Sequence, residues 1–171
     1  MDLKTKIRVI EGFPSDGISF KDITTLLQDK DAFYEAVNML CDLVDTKVDI
    51  VVGPEARGFM FAAVTAYKLK AGFVPIRKKG KLPFDTEQYT YDLEYGVDTI
   101  EIHKDAISKG QKVLLVDDLL ATGGTLHACA KLVEKCGGEV VGIITLIELE
   151  ELKGKDKLSE YNVKSLISYD K

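Results

Sequence analysis

Tryptophan is absent, histidine occurs only twice (His103 and His127), and proline four times in 171 residues. No apolar run approaches the ~18 residues that a membrane-spanning helix requires. Residues 1–6 are charged and lead into no apolar core of a secretory signal, so a cytoplasmic location is expected. The three cysteines, Cys41, Cys129 and Cys136, form no C-x-x-C pair, and their odd number argues against a disulfide framework. Cys129 and Cys136 fall two turns apart on an expected helix, where both are expected to pack inward as small apolar groups rather than hold zinc. Positive charge is not in excess either: 23 Lys and Arg stand against 28 Asp and Glu, for a net charge of −5. That balance argues against a general nucleic-acid or membrane-surface binder, whose phosphate-lined partner needs a positive field.

What is present fits a folded domain. Hydrophobic residues make up 46% and charged ones 30%, enough apolar content to offset the entropy of ordering. The length suits one domain over residues 1–171, and no repeat, low-complexity tract or linker divides it. Three stretches carry apolar residues at helical spacing. In residues 31–44 these are Phe33, Val37, Leu40, Leu43 and Val44. Residues 57–69 are apolar nearly all round, which predicts a largely buried helix. In residues 125–136 the repeat runs through Leu126, Cys129, Leu132, Val133 and Cys136, and Gly137-Gly138 supplies a stop. Between them lie short β-branched runs at 48–52, 73–76, 113–116 and 140–147. Continuous rather than alternating apolar runs suit strands covered on both faces, so two βαβ units and an open parallel sheet flanked by helices are expected.

Residues 78–95 break that rhythm. They are polar and aromatic, with Pro75 and Pro83 near the start and no sustained period. A segment of this kind is expected to be irregular, either a mobile surface loop or a lid over a site. Residues 88–91 have strand character, with a following strand around 99–102.

The stretch that carries chemistry is Val113-Leu114-Leu115-Val116-Asp117-Asp118-Leu119-Leu120-Ala121-Thr122-Gly123-Gly124-Thr125. It reads as an apolar strand ending in two carboxylates, then a small-residue turn that opens a helix. Ligands of open α/β sheets bind just past the carboxyl ends of the strands. Amides of residues 121–125 would face a phosphate at the helix N-terminus, and Gly123 and Gly124 would let the backbone come close. Carboxylates repel phosphate, so Asp117 and Asp118 must face sugar hydroxyls or a divalent metal. Adjacent strand residues point to opposite faces, so both acids can serve one ligand only if the strand has begun to turn there. A phosphate on amides beside a diol on acids describes a ribose 5-phosphate. Neither G-x-x-x-x-G-K-[ST] nor G-x-G-x-x-G is present. A second anion site is suggested by Arg57 and Arg77, each following a predicted strand at the same sheet edge, with Lys78, Lys79 and Lys81 nearby.

The 113–125 block resembles the phosphoribosyl-diphosphate (PRPP) signature of the type I phosphoribosyltransferases. Four further blocks resemble the adenine-using branch of that family: residues 17–24, 55–59, 76–83 and 91–96. The resemblance implies the type I phosphoribosyltransferase α/β fold, an open parallel sheet with a flexible hood loop over about 78–96. It implies a purine salvage enzyme that converts adenine and PRPP to AMP and diphosphate, with Mg²⁺ carried by the substrate and no metal site made by protein side chains alone. It implies a homodimer in which Arg77 reaches the neighbouring site. Ala121, Thr122, Gly123, Gly124 and Thr125 would hold the 5-phosphate, and Asp117 with Asp118 the ribose hydroxyls. Glu55, Ala56 and Arg57 would form the diphosphate loop, with a cis Glu55–Ala56 peptide, and Arg77, Lys78 and Lys81 would meet the diphosphate. Phe20 would stack on adenine while the backbone at Ser19 and Lys21 reads its edge, and Leu149 would close the other face. Glu94 would handle the purine proton, Arg57 would neutralise the leaving group, and Tyr95 would seal the site.

Other readings remain open from the residues. They are a phosphoribosyltransferase for hypoxanthine, guanine, xanthine or uracil, a PRPP-sensing regulator without chemistry, and a plain nucleotide-binding scaffold. The acidic net charge and the absence of a helix-turn-helix extension weigh against the regulator.

Overall fold

A computed structural model describes residues 1–93 and 95–170. A short ribbon comes first, β1 (Arg8–Glu11) antiparallel to β2 (Ser19–Asp22). The rest of the chain follows as α1 (Thr24–Leu27), α2 (Lys30–Asp42), β3 (Ile50–Pro54), α3 (Arg57–Leu69), β4 (Gly72–Lys78), β5 (Thr86–Asp92), β6 (Val97–His103), β7 (Lys112–Leu120), α4 (Gly124–Lys135), β8 (Glu139–Leu149), α5 (Gly154–Lys157) and β9 (Val163–Tyr169).

Seven strands form one sheet in the order β5-β6-β4-β3-β7-β8-β9. The five from β4 to β9 are parallel; four of them follow the predicted apolar runs, while β9, which carries Lys164, Ser165 and Ser168, follows none of them. The sheet as a whole is mixed rather than parallel, because β6 joins β4 antiparallel and β5 folds back on β6. Strands β5 and β6 are therefore an antiparallel hairpin pair, and they contain the residues 88–91 and 99–102 expected to have strand character. β5 alternates half-buried and exposed residues along most of its length, as a strand covered on one face does, whereas β6 buries Ile100, Glu101 and Ile102 in succession.

Each face of the sheet carries its own core. One cluster gathers Val51, Leu114, Val116, Ile144 and Leu146 under α2 and α3. The other gathers Val52, Leu115, Val113 and Ile143 under α4 and the hairpin. Asp29 starts α2 by accepting the Asp31 and Ala32 amides, each at 3.1 Å, a cap worth ~1 kcal/mol. The deepest line of α2 is Ala32, Ala36 and Leu40, with Phe33 and Val37 packed at its edge. Small residues on that line let the helix approach closely. α3 is less buried than its composition predicts, since Met60 and Tyr67 stay exposed while Phe61, Ala62 and Ala66 face the sheet. Cys41 and Cys129 are buried free thiols, and Cys136 is half-buried. The charged stretch 150–157 forms a 3-10 turn (Glu150–Leu152) and α5, and all of it is exposed except the buried Gly154.

Candidate active site

β3 keeps its register with β4 to Pro54, but its register with β7 ends at Val52 and Leu115. The two strands part at their carboxyl ends, and a cleft of about 420 Å³ opens there. Its wall is made by Glu55, Ala56 and Arg57 after β3, and by Asp117 to Leu126 at the end of β7 and the start of α4.

β7 does not end at the acidic pair; it runs to Leu120. Its register with β8 holds through the acids, from Asp117 opposite Thr145 to Leu120 opposite Glu148, and both acidic residues line the cleft. The Asp118 amide donates to Asp117 Oδ1 at 2.8 Å.

The two acids differ in environment. Burial, and then the Asp118 carboxylate beside it, pushes the Asp117 carboxyl well above its usual range. Asp117 is half-buried as a residue, but its carboxyl packs tightly: a Cβ on Gly58 would stand 2.7 Å from Asp117 Oδ1. Asp118 is buried and faces the Arg57 guanidinium, with Nε 3.1 Å from Oδ2. That contact is an ion pair rather than an aligned hydrogen bond, and Oδ2 has no hydrogen-bond partner. A buried acceptor left open in this way calls for a donor from a ligand.

Helix starts supply the opposite polarity. α4 begins at Gly123, in the left-handed region at φ +88°, without a side-chain cap. α3 begins at Ala56, also without one, directly after the Glu55–Ala56 peptide, which is cis. The free amides of both first turns and the positive dipole ends therefore face one cleft, an arrangement suited to a ligand with anionic groups at two places.

Of the expected diphosphate residues, Glu55, Ala56 and Arg57 line the cleft, whereas the side chains of Arg77 and Lys81 gather on Glu55 outside its wall. Arg77 Nε lies 3.3 Å from Oε1, the Lys78 amide donates to Oε1 at 2.7 Å, and Lys81 Nζ lies 3.0 Å from Oε2. Burial raises the Glu55 carboxyl, but these donors outweigh it and hold it below its usual value. The Lys78 ammonium turns away to Asp98 on β6.

Among the described residues, the cleft wall also leaves out Ser19, Phe20, Lys21, Leu149 and Tyr95. Phe20 is not the core aromatic its apolar character suggests; it is half-buried on β2, with the Arg57 guanidinium 5.2 Å from its ring centre and Phe13 edge-on at 5.0 Å. Ser19 donates to Glu11 and accepts from Lys21 Nζ, so both side chains are engaged within the ribbon. Lys21 lies over the Tyr169 ring, and Tyr169 pairs with Leu149 at the end of β8. Tyr95 is 87% exposed at the hairpin tip. Glu94 lies outside the described residues. His127, outside the cleft wall, packs edge-on against Tyr89 of the hairpin. Two contributors were given no role from the sequence: Gly154, whose carbonyl meets Gly123, and Tyr91, whose hydroxyl is 3.2 Å from Thr125 Oγ1.

The phosphoribosyl transferase domain family matches residues 21–171. The adenine phosphoribosyltransferase of Clostridium acetobutylicum is 60% identical over 171 residues, 99% of either chain. The chain belongs to the adenine phosphoribosyltransferase family. Adenine phosphoribosyltransferases share its fold as well as its sequence. The crystal structure from Thermoanaerobacter pseudethanolicus aligns with a TM-score of 0.96 at 54% identity, covering 98% of each chain. The Giardia lamblia enzyme complexed with 9-deazaadenine aligns at 0.93 and 38% identity, covering 99% of this chain and 97% of that one. Among the described residues no helix is long and apolar enough to cross a membrane, and no group of three His, Cys, Asp or Glu side chains is placed to hold a metal ion.

Proposed function

We propose that the cleft binds PRPP and adenine and transfers the phosphoribosyl group to the purine, giving AMP and diphosphate. The observation that carries this reading is the pairing of two uncapped helix starts with a carboxylate pair on one cleft. PRPP has that polarity pattern: an anion at each end of a ribose and a diol between. Family membership supports adenine as the base, and the Giardia relative was crystallised with an adenine analogue.

In this reading the amides and hydroxyls of Ala121 to Thr125 hold the 5-phosphate. Asp117 and Asp118 accept from the ribose hydroxyls, charge-assisted bonds each worth about 1.5–3 kcal/mol. Glu55, Ala56 and Arg57 meet the diphosphate, and Arg77, Lys78 and Lys81 join them once substrate phosphate competes with Glu55 and Asp98 for those cations. Phe20 stacks on the adenine, the backbone of Ser19 and Lys21 reads its edge, and Leu149 closes behind it. Glu94 handles the purine proton and Tyr95 moves from its exposed position to exclude water.

Two carboxylates in one cleft suit Mg²⁺ only with help, because that ion completes its oxygen shell with waters and substrate phosphates. It would ride on the PRPP oxygens and neutralise charge on the departing diphosphate. In this reading Arg57, which lies 3.1 Å from Asp118, shares in neutralising that charge. The proposal includes a cytoplasmic homodimer, with Arg77 serving the partner's site, to be checked by light scattering of the purified protein. The chemistry is tested by following AMP formation from adenine, PRPP and Mg²⁺ against guanine and hypoxanthine. AMP from adenine alone is expected; product from another base, or none, would overturn the reading.

A further inference from the structure

Tyr91 stands on β5, outside the cleft wall, yet it touches the first turn of α4. Its hydroxyl is 3.2 Å from Thr125 Oγ1 and 3.4 Å from Asp98 Oδ2, and its ring lies 3.8 Å from where a Gly124 Cβ would sit. Asp98 in turn holds the Lys78 ammonium. A chain of polar groups thus runs from the helix start, through the hairpin, to a lysine of the basic cluster.

The protons in that chain can be counted. A neutral phenol has one proton to give, a threonine hydroxyl one, and a carboxylate none. Burial pushes the Tyr91 phenol up from its usual value, so it keeps its proton at neutral pH. When Tyr91 donates to Asp98, the Thr125 proton satisfies the phenol oxygen and points away from the cleft. When Thr125 gives its proton to a phosphate oxygen, its own oxygen is open to the phenol proton, and Asp98 is left to Lys78. One proton cannot serve both arrangements.

We propose that Tyr91 is a positioning residue: it sets the direction of the Thr125 hydroxyl, and so links phosphate occupancy at the start of α4 to the hold of Asp98 on Lys78. The proposal rests on residues 121–125 being the phosphate cradle, and its test keeps the two apart. AMP and adenosine differ by the phosphate alone, so their affinities are measured by calorimetry for wild type, Tyr91→Phe, Thr125→Val, the double variant and Asp98→Ala, with melting temperatures as a check on folding. Tyr91→Phe is expected to weaken AMP three- to tenfold with adenosine unchanged, and the double variant to be no weaker than Thr125→Val alone. Asp98→Ala, which leaves the phenol proton only Thr125 to serve, is expected to tighten AMP about twofold. Equal losses for AMP and adenosine in Tyr91→Phe, an unchanged AMP affinity, additive effects in the double variant, or weaker AMP binding in Asp98→Ala would each overturn the relay. Normal AMP affinity in Thr125→Val would instead overturn the cradle and the relay together.

Discussion

Gly123 and Gly154 meet backbone to backbone. A Cβ on Gly123 would stand 2.7 Å from the Gly154 carbonyl oxygen, and a Cβ on Gly154 would stand 2.5 Å from the Ala121 carbonyl oxygen. Neither neighbour is a flexible side-chain end that could give way. α5 is therefore a strut beneath the turn that opens α4, and the Lys155–Glu148 ion pair at 3.1 Å ties that strut to β8. Gly154→Ala should cost about 1–3 kcal/mol of stability and weaken AMP binding at least tenfold by displacing the amides of residues 121–123. Calorimetry with AMP, alongside a thermal melt, checks both; unchanged AMP affinity would mean that the turn does not depend on the strut.

Asp117 should show function and stability pulling apart. Its carboxyl is raised above the usual 3.8 in the folded protein, chiefly by burial. The folded state therefore binds that proton more readily than the unfolded one, and stability drains away as pH rises from 3.8 through the folded value. Asp117→Asn removes the drain. The variant should melt higher than wild type at pH 7–8, by about 2–4 °C for each kcal/mol recovered, and the gap should close toward pH 4. PRPP affinity should fall roughly tenfold or more as a charge-assisted bond to the ribose is lost. Melting curves across pH, paired with PRPP titrations, would contradict the account if Asn lowered the melting temperature at pH 8.

Glu55 has the opposite sign. Its donors, the Lys78 amide, Lys81 and Arg77, hold its carboxyl below the usual 4.5 despite burial. That contribution is present above 4.5 and is lost as pH falls through the folded value. Glu55→Gln should be less stable than wild type at neutral pH and converge with it in acid, as read from thermal melts. Turnover should drop about tenfold, because Arg77 and Lys81 lose the group that aligns them. Parallel stability curves at every pH would argue against the Glu55 hub.

Glu94→Gln should sharply lower turnover, by about 100-fold on the usual scale of a general acid or base, while PRPP binding stays close to wild type. Steady-state rates and a PRPP titration decide it; full turnover would remove Glu94 from the chemistry.

Much of this was legible in the residues because the signals are local. The strands and helices of the two βαβ units follow from apolar runs and spacing, and the cleft wall from Asp117, Asp118 and the glycines after them. What stayed hidden depends on contacts between distant parts of the chain. Nothing near Gly154 in sequence says that its carbonyl supports Gly123. The hairpin strands show in the sequence only as short pieces, 88–91 and 99–102, of the longer β5 and β6. Lys78 looks like an anion ligand by its neighbours Arg77 and Lys79, yet Asp98, twenty residues on, takes its side chain. Ser19 and Lys21 are proposed to act through the backbone, which leaves no side-chain trace at all.

The acidic pair Asp117 and Asp118 on β7, beside the uncapped start of α4, is where the account stands or falls. A crystal soaked with AMP should place the monophosphate against the amides of residues 121–125 and the ribose hydroxyls within hydrogen-bonding distance of Asp117 and Asp118. A monophosphate bound anywhere else, or a ribose facing away from both acids, would contradict it.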